Sequence, residues 1–350
     1  MKKIIISMMA VAALAACTKS EVAYETPNEI ALSPVASNVT KSVAGYTDGA
    51  FDGVFPTAVD LYMFANAGTG AVANHTEEYF KNARFVWNSS KGTEATQNGV
   101  ATTGAYAGDP TRYWPNVKTL VFAGYSDACG VNKTTPTMNF ASNVLTIPSY
   151  TQDNGATYAA EGKNDLMWFV CDGSAYSKDA NEIAANMKHA CSWITINVAG
   201  DDVTANSWKL NNLVVKSLAH TGAVTCGETA TWDIATTAVK ADEAYYTNTT
   251  GATFTKTAAK FEDTANNFIV LPQTPTNLEV TYTYVSDATN NISLTETKSV
   301  PLAYDAASTA WQSGVHYIYN ITITATEILI DPVVVDWTNY TGNNIAKEVK

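Results

Sequence analysis

The sequence predicts an all-β chain built as antiparallel β-sandwiches, two of them in series. Three observations predict it. With 18 Tyr, 8 Trp and only 15% charged residues, the polar quota is filled by Thr, Ser and Asn instead of the Lys and Glu that suit helix surfaces. Short apolar runs recur along the chain, parted by Gly-, Asn- and Thr-rich turns. A break at Gly200-Asp201-Asp202 separates them into two sets, and 350 residues is a length for about two domains.

The charge balance narrows the partners. There are 21 Lys+Arg against 33 Asp+Glu, a net charge of −12, so the chain carries no surface built to neutralise phosphates and nucleic acid is not expected. Hydrophobic residues make up 46%, enough to fill a core.

The elements follow in order. Residues 59–64, 83–87 and 119–125 read as strands, with a Gly- and Thr-rich loop before the third. Residues 165–170 follow a Gly/Asn-rich turn and read as another. A short helix is expected over 179–187, and one long strand over 189–198. After the break, residues 208–217, 267–272 and 278–285 are strand-like, and 316–324 alternates most cleanly with period two.

The N-terminus carries a targeting signal. Met1-Lys2-Lys3 is a basic start, and the apolar stretch 4–16 is shorter than the about 20 residues a membrane helix needs. It fits the core of an export signal ending in Leu14-Ala15-Ala16-Cys17, which resembles a bacterial lipobox. The expected organisation is a signal peptide over 1–16, an N-terminal segment over 17–41 acylated at Cys17, a first sandwich over 42–202 and a second over 203–350. Multiple acyl chains on Cys17 would anchor the chain to a membrane; an ordinary signal with a chance cysteine is the alternative.

No enzyme motif is present. His75, His189, His220 and His316 have no partner at metal-ligand spacing, and HExxH, GxSxG and the P-loop are absent from the sequence. The Gly-rich stretch 104–108 lacks a strand–turn–helix setting, and the adjacent acids Glu77-Glu78 and Asp201-Asp202 point different ways in a strand or turn. No catalytic residue, metal or cofactor is expected. Cys129, Cys171, Cys191 and Cys226 form no CxxC pair; they admit three disulfide connectivities or a buried free state.

Several blocks carry a family resemblance. Phe85-Val86-Trp87, then Thr111-Arg112-Tyr113-Trp114-Pro115 and the strand 119–125, resemble the core block of fimbrillin-family lipoproteins, the type V pilins of Bacteroidia-type bacteria. Asp165-Leu166-Met167 with Met187-Lys188-His189-Ala190 is similar to the next block. Trp311-Gln312-Ser313-Gly314, the strand 317–323, Glu327-Ile328 and Val335-Asp336-Trp337 are similar to the last.

The resemblance implies two transthyretin-like β-sandwiches and a precursor delivered to the outer membrane as a lipoprotein. A trypsin-like protease outside the cell then removes the N-terminal strand, and the subunit joins copies of itself or related pilins head to tail in an adhesive fimbrium. The removable strand would carry Ile30, Leu32 and Val35, and the cut would fall between Lys41 and Ser42. Members cut after arginine differ here, because the only arginines are Arg84 and Arg112. The donor strand would carry Ile328, Ile330, Val333, Val335 and Trp337, the last three on one face; the alternative is that this segment completes its own sandwich. Asp263-Thr264-Ala265 resembles the family's O-glycosylation site. A tip or anchor subunit, or a surface glycan-binding lipoprotein, is the alternative to a polymerising subunit.

Overall fold

The computed structural model describes residues 29–32, 35–36, 58–89, 95–97, 100–102, 105–155, 159, 163–178, 183, 185–200, 208–257, 259–261, 268–287, 292–307, 309–324 and 327–336. In chain order the strands begin with β1 (Ala31–Leu32), β2 (Val35–Ala36), β3 (Leu61–Gly68), β4 (Glu77–Asn88), β5 (Ala95–Gln97), β6 (Val100–Thr102), β7 (Ala105–Gly108) and β8 (Thr119–Ser126). They continue with β9 (Thr137–Asn139), β10 (Val144–Thr151), β11 (Met167–Phe169), β12 (Asn186–His189), β13 (Ser192–Gly200), β14 (Trp208–Ala219), β15 (Thr221–Cys226) and β16 (Ala230–Asp233). The last are β17 (Lys240–Thr253), β18 (Ala259–Lys260), β19 (Phe268–Val270), β20 (Asn277–Asp287), β21 (Ile292–Pro301), β22 (Val315–Ile323) and β23 (Ile328–Asp336).

The fold is all-β, with antiparallel sheets packed as sandwiches, as the composition predicts. The first half builds an eight-stranded sheet in the order β1-β7-β4-β3-β8-β11-β12-β2. Both of its faces are apolar, so its central strands read as near-continuous hydrophobic runs. Leu61, Met63, Phe85, Leu120 and Phe122 fill one core. On the opposite face, Phe64, Tyr125 and Trp168 pack with Leu145, Ile147 and Tyr150 of β10 and Val224 and Cys226 of β15. Those strands belong to a second sheet, β16-β15-β10-β9.

The second sandwich pairs the sheet containing β18, β13, β22 and β23, with β19 also against β13, to the sheet β17-β14-β20-β21. Ile194, Ile196 and Val198 of β13 meet Leu210, Leu213 and Val215 of β14, with Tyr317, Tyr319 and Ile321 of β22 beside them. The alternation in 316–324 is this packing: Tyr317, Tyr319, Ile321 and Ile323 are inward and buried, while the residues between them are half-buried.

Three sequence expectations meet a different local structure. The long strand over 189–198 is two strands: β12 ends at His189 and β13 starts at Ser192 in another sheet. Between them the Ala190 N–H donates to the Leu166 carbonyl and the Gly314 N–H to the Cys191 carbonyl, both at 2.8 Å, so the backbone at 190–191 is held by both halves. Consequently β13, expected in the first sandwich, lies in the second, paired in parallel with β22 from Trp193↔His316 to Gly200↔Ile323. The helix expected over 179–187 meets strand at its end: Asn186 and Met187 belong to β12, and Met187 is fully buried in the first core. An apolar residue that pairs on a sheet edge overrides a helix-tolerant composition.

The halves are also tied across the polypeptide. The hairpin β15–β16 interrupts the second sandwich in sequence yet pairs with β10. The side-chain amide of Asn154 acts as a strand partner for Ile269 of β19, donating to its carbonyl at 2.8 Å and accepting from its N–H at 3.0 Å. Asn164 and Gln152 close a buried amide network on the same Asn154 oxygen.

Candidate assembly site

The N-terminal segment joins the two ends of one sheet. β1 lies antiparallel to β7, with Ala31↔Ala107 and Leu32↔Tyr106. β2 lies parallel to β12, with Val35↔Asn186 and Ala36↔Met187. These are the outermost positions of the eight-stranded order, so a segment of eight positions, 29–36, links both edges of the sheet. The chain passes from Leu32 to Val35 in three residue steps, which span at most about 10 Å.

Burial holds the segment in this seam. Ile30 is 0% exposed and Leu32 2%, both in the core with Tyr106 and Met187. Each buried side chain of this size contributes about 1.5–3 kcal/mol. The Ile30 N–H donates to the Arg112 carbonyl at 2.8 Å, and Glu29 bridges to Tyr113. Beneath Leu32, the Tyr106 ring meets Trp87 edge-on at 5.6 Å, and its hydroxyl donates to the Val59 carbonyl at 2.9 Å. Burial pushes the Tyr106 phenol far above its usual range, so it stays a neutral donor. Arg112 continues the wall, with its guanidinium 5.8 Å from the centre of the Phe80 ring.

With the segment withdrawn, β7 would keep only β4 as a neighbour and β12 only β11. Two rows of unpaired N–H and C=O groups would then flank an apolar trough floored by Tyr106 and Met187. Unpaired strand edges beside an apolar floor are the kind of surface to which an extended strand can add.

At the other terminus β23 is an edge strand, paired to β22 through nine successive rungs from Val315↔Asp336 to Ile323↔Ile328. Ile328, Ile330 and Val334 pack on the core of the second sandwich. The unbroken register puts Val333 on the opposite face from Ile328 and Ile330, in keeping with the regular strand that the expected shared face of Val333 and Val335 requires. Leu329 on that outer face is 50% exposed. Val335 belongs to the strand as the partner of His316, and Trp337 lies outside the described residues, as do Cys17, Lys41, Ser42 and Thr264. Ile30, Leu32 and Val35 were expected here from the family resemblance, whereas the two-edge linkage and the floor residues Tyr106 and Met187 require the topology.

The histidines occupy four separate settings. His189 Nδ1 is 2.7 Å from Asp165 Oδ2, deep in the interior, and His316 stacks on Trp193 with ring centres 3.7 Å apart. His75 bonds Thr119, and His220 lies 3.6 Å from Glu243. Among the described residues no group of three His, Cys, Asp or Glu is placed to hold a metal ion. Cys129, Cys171, Cys191 and Cys226 are free thiols, and burial pushes the Cys129 pKa up to about 11. Cys191 and Cys226 act as small apolar side chains in the core that the two halves share.

A family model described as fimbrillin-like matches residues 45–337. Among solved structures, a fimbrial protein from Bacteroides vulgatus is similar at 14% identity and a TM-score of 0.58, over 89% of this chain and 100% of that one. A fimbrial assembly protein from Parabacteroides distasonis is similar at 11% identity and a TM-score of 0.41, over 88% of this chain and 95% of that one. The tip fimbrial protein Mfa3 from Porphyromonas gingivalis, with C-terminal truncation, is similar at 10% identity and a TM-score of 0.39, over 88% and 99%. No curated protein matches the chain.

Proposed function

The chain belongs to the fimbrillin-like family, and on that premise we propose that it is a structural subunit of a cell-surface fimbrium that polymerises by strand exchange. The observation that carries this reading is the linkage of both edges of the eight-stranded sheet by residues 29–36. In the proposed sequence of events the precursor is exported, acylated on Cys17 and held at the outer membrane. A trypsin-like protease cuts between Lys41 and Ser42, which frees the segment carrying Ile30, Leu32 and Val35. The opened seam then takes a strand from a neighbouring subunit.

The donor proposed is the C-terminal segment with Ile328, Ile330, Val333, Val335 and Trp337. It supplies apolar side chains to both faces of the strand, and as an edge strand it leaves one neighbour only. Insertion of one subunit's C-terminal strand into the next subunit's seam is a head-to-tail contact that does not close, so it builds a filament. The energetics permit exchange: the incoming strand restores the same ladder and the same trough, so release and capture nearly cancel. The filament's function would be adhesion, with no catalytic step.

N-terminal sequencing of the cell-surface form tests the reading. A chain starting at Ser42 is expected for a polymerising subunit. An intact, acylated Cys17 on every surface copy contradicts it and identifies an anchor or a membrane-bound glycan binder.

A further inference from the structure

The outer face of the sheet β17-β14-β20-β21 carries an open concavity of about 550 Å³. Two backbone irregularities shape it. Asn211 is an extra residue in β14, skipped by the register with both β17 and β20. Opposite it, β17 runs from Thr247, the partner of Asn212, to Ala252, the partner of Leu210, so residues 248–251 form an excursion. Gly251 turns that excursion with φ of +75°, and a Cβ there would lie 2.6 Å from the Cβ of Lys209. Paired bulges bend a sheet and re-aim side chains at the point where the ladder is interrupted.

Hydroxyl and amide side chains predominate in the lining, with Val285 its one apolar member. Asn211, Asn212, Thr247, Thr281, Thr283 and Thr295 are typical of it, Lys209 is its one charged group, and no carboxylate contributes. In a chain with a net charge of −12 that is a distinctive patch. The acidic side chains of the same face lie in a separate cluster, where Lys216 pairs with Asp242 at 2.6 Å and Glu279 at 3.5 Å. The groove hydroxyls are oriented by one another: Thr283 donates to Asn211 Oδ1 at 2.8 Å, and the Thr283 and Thr295 hydroxyl oxygens are 2.9 Å apart. Each hydroxyl oxygen has two lone pairs and each amide two N–H groups, so the lined-up row keeps unspent capacity toward solvent.

We infer that this groove binds neutral oligosaccharide. Neutral donors and acceptors fixed in a row beside Val285, with no acid in the lining, match the alternating hydroxyls and apolar C–H patches of a sugar chain. A peptide strand would need an open edge, and a nucleic acid would need a cluster of cations. The site goes beyond the assembly reading and stands whether or not the chain polymerises, because it lies on the sheet opposite β23.

The test titrates the full mature chain, labelled for amide NMR, with lactose, N-acetyllactosamine and mannotriose at millimolar concentrations, at low and high salt. Saturable shifts confined to residues around Asn211, Thr247 and Thr283 are expected for at least one sugar, unchanged by salt, since a neutral ligand is not screened. The double variant Asn211→Ala/Thr283→Val should bind that sugar about tenfold or more weakly. The exposed substitution Ser293→Ala, at the groove wall, gives a second reading with little burden on folding. No shift with any of the three sugars overturns the inference, as does binding that survives in both variants or that salt abolishes.

Discussion

Leu32 stands directly opposite Tyr106 on the last rung between β1 and β7, and the two side chains are 2% and 0% exposed. A residue near the N-terminus therefore forms part of the wall of a core whose other members, Ile30 apart, come from residues 59–187. Leu32→Ala removes three methyl or methylene-type carbons from that wall. The expected cost is about 2–4 kcal/mol, read as a lower denaturation midpoint in urea, with Ile30→Ala similar. A neutral outcome for both would mean that the segment rests on the surface without supporting the core.

Asn154 is the polar counterpart. Its amide satisfies both backbone groups of Ile269 in a buried setting. Asn154→Ala strands a buried donor and acceptor, each costing about 1–3 kcal/mol, so a loss of about 3 kcal/mol is expected. Asn154→Asp keeps the acceptor for the Ile269 N–H and loses the donor, and should fall between the two in equilibrium unfolding.

Asp127 gives a pH dependence with a defined sign. Burial, the largest influence, raises its pKa above the ordinary carboxylate value, against the lowering effect of the Asn132 N–H that it accepts at 2.9 Å. A folded-state value above the unfolded one means the native state holds the proton more tightly, so stability falls as pH rises through that window. Asp127→Asn keeps the acceptor oxygen and removes the charge. The variant should be more stable than wild type at pH 7, with the difference vanishing at pH 3. An advantage that persists at pH 3 would place its cause elsewhere.

Deleting residues 331–350 removes the rungs from Asn320↔Asp331 to Val315↔Asp336 and the Val333, Val335 and Trp337 part of the proposed donor. Protease-treated wild type is expected to give SDS-resistant ladders and the truncated chain none. Unchanged ladders would assign the donor strand to another part of the molecule. Ile330→Asp provides the same reading with the strand in place, because Ile330 packs on the core and a carboxylate there is costly to bury.

Much of the fold was legible because strand chemistry is local. The alternation in 316–324 follows from β22 having one face in a core, and the frequency of Thr, Tyr and Val reflects sheets of half-buried strands. The sites of failure are those where pairing at a distance decides. Nothing in His189-Ala190-Cys191-Ser192 marks a switch of sheets; the switch is set by hydrogen bonds to Leu166 and Gly314. Asn186 and Met187 suit a helix until β2 and β11 lie beside them. In β23 the rungs run unbroken through Tyr319↔Pro332, the regular strand on which the expected shared face of Val333 and Val335 depends. Ile30 and Leu32 entered through the family resemblance, but their role as the tie between β7 and β12 belongs to topology.

The central claim is that the seam between β7 and β12 must open before subunits join. Ala31 and Ala107 face each other on antiparallel strands, a pairing with Cα atoms about 4.5–5.5 Å apart, within disulfide reach. The most direct measurement follows the oligomeric state of Ala31→Cys/Ala107→Cys after protease treatment, oxidised and then reduced. The oxidised protein is expected to stay monomeric although its chain is cut, and to form ladders once dithiothreitol releases the segment. Ladders that form equally well with the seam covalently closed would contradict the account.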